Sequence, residues 1–235
     1  MKISFIVPAY NAEKTIEECL ISILNLRIEK EILVIDDGST DKTNKIAKKY
    51  ADRVIKIENS GPAVARNLGW KNAKYNIVAL IDSDVILTKD WLIEIEKNIK
   101  EFDLITSSRW LGKNFEGEMK LDIKYFCPPS DFYVIKKNVM KKIGGFSEIF
   151  PWPAGEDTDL LVRFLKNGYK CKCILPKYKH IGEDSSKNKK RLIKFWISNF
   201  ILTIKHLDTK LGWQWLFDKL TLKSLVKNLK KYQSD

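Results

Sequence analysis

Two apolar rhythms alternate over the first hundred residues. Ile3–Val7, Glu31–Ile35, Val54–Ile57 and Ile77–Ile81 are short runs rich in β-branched residues, which predict strands. Between them, apolar positions recur every three or four residues. Ile16, Cys19, Leu20, Ile23 and Leu24 mark one helical face, Ile46, Ala47 and Tyr50 a second, and Ala63–Ala73 a third. Trp91, Leu92, Ile95 and Ile99 continue the pattern, with Asp90 as a candidate N-cap, and Leu104–Ser107 is a further strand. This strand–helix alternation predicts an α/β fold with a largely parallel sheet covered on both faces.

After Trp110 the rhythm breaks. "LGKNFEGEMKLDIKYFCPPS" is polar and punctuated by Gly and Pro, an excursion from the repeating units. Phe132–Ile135 predicts a strand and Asn138–Ile143 a short helix ending at Gly144-Gly145. Glu156–Asn167 predicts a helix with Gly168 at the position after its C-cap, and Lys170–Leu175 another strand. Two helices, over Lys187–His206 and Leu211–Tyr232, complete the chain. The expected organisation is one domain over 1–185, divided at about residue 108 into two halves, followed by a helical tail over 186–235.

Charge separates the same two parts. The net +12 lies mostly in the tail: residues 186–235 hold 12 Lys/Arg against 3 Asp/Glu, whereas the first 185 hold 30 against 27. Any partner chosen by positive charge belongs to the tail. Its apolar positions Ile193, Trp196, Ile197, Phe200 and Ile204 lie beside Lys190, Arg191, Lys194 and Lys205, a pattern suited to an anionic membrane surface or to packing on the core. Leu216, Leu220, Leu225 and Leu229 mark a second tail helix, and Trp213 and Trp215 add aromatics. The four cysteines make no CxxC pair and read as reduced thiols; with no signal-type segment and no run of 18 apolar residues, a cytoplasmic protein is expected, peripheral on a membrane at most.

The candidate chemistry sits where predicted strands stop. "NIVALIDSDVIL" drives five apolar residues into Asp82 and Asp84. In extended backbone those side chains share a face about 6–7 Å apart. Paired carboxylates suit a hard cation, Mg²⁺ or Mn²⁺, and two are too few for a complete shell, so phosphate oxygens and water would finish it. Three other junctions bring polar groups to the same edge: "IVPAYNAEKTI" with Asn11 as a possible N-cap, "IDDGSTDKT", and "NSGPAVARNLG". Downstream, Glu156, Asp157 and Asp159 begin a helix, where acids also complement the helix dipole.

Taken in order, "IVPAYN", "VIDDGSTDKT", "GPAVARNLG", "ALIDSDV", "GGFSEIF" and "GEDTDLLVRFLKNGYK" resemble a family-2 glycosyltransferase of GT-A fold over residues 1–182. The resemblance implies transfer of a sugar, with inversion, from a nucleotide-diphosphate-sugar, by family habit a UDP-sugar, to a glycan or lipid-linked glycan. It implies that Pro8, Ala9, Tyr10, Asn11, Glu13, Asp37, Arg66, Asn67, Asp82 and Ser83 line the donor site. It further implies that Asp84 and His180 bind the Mn²⁺ or Mg²⁺, that Asp157 is the catalytic base, and that Trp152 and Glu156 face the acceptor. Two alternatives fit the same residues. A nucleic-acid-binding protein could use the basic tail, but that leaves the acidic junctions unexplained. An inactive sugar-nucleotide-binding module is the other.

Overall fold

A computed structural model describes residues 1–107, 116–121, 130–150, 155–182, 197–198 and 200–209. One eight-stranded sheet organises them, in the order β3-β2-β1-β4-β8-β6-β9-β7. Strands β1 (Lys2–Ala9), β2 (Glu29–Asp37), β3 (Arg53–Ile57) and β4 (Ile77–Ile81) run parallel. Strand β8 (Ser130–Lys136) runs against both β4 and β6 (Leu104–Ser107). β9 (Cys171–Cys173) is parallel to β6, and β7 (Gly117–Glu118) is antiparallel to β9. The sheet is therefore mixed, mostly parallel. The reversal of β8 matters for function, because it brings that strand's first residues to the edge where β1, β2 and β4 end.

The near-continuous apolar strands are explained by burial on both faces. Alternate residues feed two cores. Phe5, Val7, Val34, Ile81 and Phe132 pack on one side with helices α1 (Ile16–Leu24) and α4 (Lys89–Asn98). Ile6, Leu33, Ile35, Leu80, Tyr133 and Ile135 pack on the other with α3 (Pro62–Asn72), α5 (Lys137–Ile143) and α6 (Glu156–Lys166). Helix α2 (Thr43–Tyr50) follows β2. Trp91 of α4 is fully buried, packs tilted against Phe5 and edge-to-face against Phe132, and so ties β1 and β8 together.

A second, two-stranded sheet was not evident from the sequence. Strand β5 (Val85–Leu87) pairs antiparallel with β10 (Tyr178–His180), with His180 opposite Val85. Both strands are too short to show periodicity. Two capping expectations are also corrected. Helix α4 is capped by Thr88, whose hydroxyl accepts from the Trp91 amide at 3.2 Å, and Asp90 lies inside the first turn. Helix α1 begins at Ile16 with Thr15 before it, so Asn11 is no cap. Asn11 instead takes a left-handed turn (φ 47°) and its side-chain oxygen accepts from the Thr40 amide at 2.9 Å.

Candidate active site

The loops after β1 and β2 are laced to each other before any ligand is considered. The Asn11 amide donates to the Ser39 hydroxyl at 3.0 Å, the Ala12 amide to the Thr43 hydroxyl at 2.7 Å, and the Glu13 amide to Asp41 at 3.1 Å; Glu13 accepts in return from the Lys42 amide at 3.1 Å. The "DDGST" acids build this edge. Asp36 accepts from the Ser39 amide and from the Asn44 side chain. Asp37, 5 % exposed, accepts from the amides of Ser60 and Gly61 at 2.7 and 2.9 Å, which fixes the entry to α3. Of the expected donor-lining residues on β1, Pro8 is half-buried, Ala9 buried and Tyr10 exposed at the strand end.

The Asp82–Asp84 pair departs from the extended geometry expected of it. The Val85 amide donates to the Asp82 carbonyl at 3.1 Å and closes a turn around Ser83. The two carboxylates thus leave in different directions. Asp82 meets Arg66, while Asp84 Oδ2 lies 3.3 Å from His180 Nε2. The β5–β10 ladder produces the second contact, reinforced by the Ile181 amide donating to the Asp84 carbonyl at 2.9 Å. Gly182 presses on the same carboxylate so closely that a Cβ there would fall 2.0 Å from Asp84 Oδ2.

Asp84 Oδ1 is buried and has no hydrogen-bond partner among the described residues. Leaving a buried carboxylate oxygen unpaired costs about 1–3 kcal/mol or more. Burial, then Asp82 and Asp131, push the Asp84 carboxyl above its ordinary range, while His180 opposes them. A divalent cation would supply the missing partner: the carboxylate suits Mn²⁺ or Mg²⁺ in a shell shared with phosphate, and the imidazole nitrogen favours the transition metal of the two. Among the described residues no group of three or more His, Cys, Asp or Glu side chains is set to hold an ion alone.

Arg66 is the hinge of the site. Its terminal nitrogens reach Glu156 at 2.9 Å and Asp82 at 3.0 Å, and its guanidinium lies over the Phe146 ring. It therefore joins α3, the Asp82 turn and the start of α6. Both arms of its fork are engaged by carboxylates, although the resemblance places Arg66 in the donor lining. Burial pulls the guanidinium pKa down, but Asp82 and Glu156 outweigh it and raise the net value. Glu156, the expected acceptor-side acid, is buried on this arginine.

Asp157 follows on the first turn of α6, after Gly155 in a left-handed conformation. Its Oδ1 accepts from the Thr158 amide at 2.6 Å. Burial raises its carboxyl to about 7, helped by Glu156 and opposed by Thr158 and Arg66. Tyr133 of β8 is 4 % exposed; burial lifts its hydroxyl well above the usual value, and the charges of Asp157, Arg66, Glu156 and Asp82 all act on it. Tyr133 thus belongs to the site although no sequence motif marked it.

Asn67 has a different task from the expected donor contact. Its oxygen accepts from the Phe146 amide and Trp70 Nε1, and its nitrogen donates to the Phe146 carbonyl and Glu148. It is buried and clamps the "GGF" loop beneath Arg66. Trp152 lies outside the described residues, as do 183–196 and 210–235 of the tail. The described tail residues pack on α6: Asp159, fully buried, takes Lys205 Nζ at 2.8 Å, His206 Nε2 at 3.0 Å and Arg163 Nε at 2.8 Å.

These junctions coincide with a known family. The family model described as glycosyl transferase family 2 matches residues 4–152, more than half of the chain. The chain belongs to glycosyltransferase family 2. Among its relatives, glycosyltransferase GlyA of Streptococcus pneumoniae is 38% identical over 124 residues, covering 49% of this chain and 18% of GlyA. The poly(ribitol-phosphate) β-glucosyltransferase of Bacillus spizizenii is 34% identical over 142 residues, covering 56% of this chain and 22% of that enzyme. The chain thus spans about a fifth of the length of these two relatives. Staphylococcus aureus TarS 1-349 in complex with UDP-GlcNAc superimposes with a TM-score of 0.68 at 26% identity, over 90% of this chain and 68% of that one. A Pyrobaculum calidifontis mannosyltransferase in complex with GDP-Man and Mn²⁺ has a TM-score of 0.61 at 19% identity, over 78% of this chain and 58% of that one, and shares the fold. The architecture is GT-A, and no helix of the described residues is long and apolar enough to cross a membrane.

Proposed function

We propose that this family-2 enzyme is a metal-dependent, inverting glycosyltransferase that moves a sugar from a UDP-sugar to a hydroxyl or phosphate of a glycan or lipid-linked glycan. The observation that carries the reading is the buried, unpartnered Asp84 Oδ1 beside His180, at the strand edge where the acidic base Asp157 also begins its helix. The 26%-identical TarS neighbour, solved with UDP-GlcNAc, supports UDP as the nucleotide. Asp84 and His180 would hold Mn²⁺ or Mg²⁺. The ion's chemistry there is charge neutralisation of the departing diphosphate.

The chain's own residues do the rest. The laced β1 and β2 loops form a preset floor for the nucleoside, with Tyr10 exposed to face it. Arg66 holds Asp82 and Glu156 in fixed relation, so donor edge and acceptor edge move as one body. Asp157, with Oδ1 on its own helix, takes the acceptor hydroxyl proton on Oδ2. As that O–H bond breaks, the acceptor oxygen forms its bond to the anomeric carbon. The bond to the diphosphate oxygen breaks on the opposite side, and the nucleoside diphosphate leaves with the electron pair. One displacement of this kind inverts the anomeric centre.

The tail supports a lipid-linked acceptor. Its helical residues 200–205 bury Leu202 and Thr203 against the core, while Ile197, Phe200 and Ile204 line an exposed face at 47, 67 and 54 %. Residues 185–207 carry six Lys/Arg and no Asp/Glu, a charge complementary to anionic lipid. Phe200→Glu is expected to abolish flotation with phosphatidylglycerol vesicles; unaltered flotation removes the lipid contact. The function itself is tested by release of nucleoside diphosphate from a panel of UDP-, GDP- and dTDP-sugars with Mn²⁺. Metal-dependent turnover of a UDP-sugar is expected, and turnover equally fast in EDTA would overturn the metal-dependent mechanism.

A further inference from the structure

Two non-glycine residues among those described have positive φ: Asn11, explained by its bond to Thr40, and Asp131 at 63°. Left-handed backbone costs a non-glycine residue about 1–2 kcal/mol, and Asp tolerates it better than most. Asp131 is also buried, at 9 % exposure, in the reversed strand β8. Strain and a buried acid at a ligand-binding edge call for a compensating role.

Its contacts supply one. The Asp131 carbonyl accepts from the Asp82 amide at 3.0 Å, which holds the turn carrying Asp84. Its Oδ2 accepts from the Tyr178 hydroxyl, which also pairs with Ser107 Oγ at 2.7 Å. Its Oδ1 lies 3.9 Å from His180 Nε2, the ring nitrogen that also faces Asp84, which is beyond hydrogen-bond range but sets a second carboxylate beside that nitrogen. Tyr178 and His180 are two apart on β10, so one carboxylate addresses both side chains that the strand sends to this face. A β-region φ would aim that carboxylate elsewhere.

We propose that Asp131 is a positioning residue for the cation site: it fixes the Asp82–Asp84 turn through its backbone, ties down the strand that carries His180 through Tyr178, and adds its negative charge beside the nitrogen that faces Asp84. The inference rests on the reading of Asp84 and His180 as metal ligands. Groups just outside a metal's ligands that hold those ligands in place typically cost about 10- to 100-fold in metal affinity when they are lost.

The test is Asp131→Asn, which keeps the size, tolerates the same φ and can still accept from Tyr178. Calorimetric titration of Mn²⁺ into protein saturated with UDP is expected to show affinity about 10- to 100-fold weaker than wild type. UDP affinity without metal and the melting temperature are expected to stay unchanged, which a merely structural role would not produce. Tyr178→Phe, which cuts the tie between β10 and Asp131, is expected to weaken Mn²⁺ in the same direction, and it decides the matter if Asp131→Asn does not fold. Wild-type Mn²⁺ affinity in whichever of these variants folds would overturn the proposal while leaving the function reading intact. Wild-type protein showing no Mn²⁺ binding with UDP would instead remove the function reading, and this inference with it.

Discussion

Arg66→Gln isolates the hinge of the site. The Glu156 arm is buried on both sides, with side chains 11 and 9 % exposed, so removing the guanidinium strands a buried carboxylate at a cost of about 3–5 kcal/mol. The Asp82 arm is 38 % exposed on the acid's side and is discounted to about 0.2–1 kcal/mol for solvent screening. A total near 4 kcal/mol, at about 2–4 °C per kcal/mol for a domain of this size, lowers the melting temperature by about 8–16 °C. The loss has a pH signature. Arg66 holds the Asp157 carboxyl down against burial and Glu156, so without it that carboxyl rises above about 7. A group whose folded pKa is raised takes up protons on folding between its unfolded and folded values. Its destabilising effect therefore grows as pH rises from about 4 through 7. The Arg66→Gln defect is expected to be smaller at pH 5 than at pH 8 by differential scanning calorimetry. Adding Glu156→Gln is expected to restore part of the loss through a coupling of about 2 kcal/mol. A melting temperature within about 2 °C of wild type at pH 8 refutes the assignment of Arg66 as the buried clamp.

Asp157→Asn is expected to lower turnover about 100-fold or more while UDP affinity changes less than about twofold, as read by steady-state kinetics and calorimetry. The wild-type pH–rate profile is expected to rise along a limb near pH 7, because the base acts only when ionised and its carboxyl is raised to about 7; a flat profile from pH 5 to 8 contradicts that role. Gly145→Ala is expected to destabilise by about 2–4 kcal/mol, because its φ of +73° is joined by a Cβ only 2.5 Å from Asn67 Oδ1. Gly144→Ala has a similar φ of +81° but meets nothing within 4 Å, so it should show the backbone cost alone, and equal melting temperatures for the two variants would dismiss the Asn67 clamp.

The sequence exposed the parallel half of the fold because each strand there is a compact apolar run followed by a helical stripe. Ile77–Ile81 appears as β4 with the expected bounds, and Leu104–Ser107 as β6. It was less legible where the chain reverses. Asp131 precedes an apolar run, so it reads as a strand's entrance; only the antiparallel pairing of β8 with β4 turns that entrance into part of the ligand edge. Strands β5 and β10, three residues each, carry no periodicity, so the meeting of Asp84 with His180 could not be seen from spacing. Arg66 and Asn67 were found by motif, but their partners lie 90 and 79 residues away, and long-range hydrogen bonds leave no local mark.

In the proposed site, Asp84 and His180 present a cation to a nucleotide diphosphate. Calorimetric titration of UDP into the protein, with Mn²⁺ and with EDTA, tests it most directly when repeated on Asp84→Asn. Mn²⁺ is expected to tighten UDP binding to the wild type by tenfold or more and to leave the variant unaffected. Equal Mn²⁺ enhancement in both proteins would contradict it.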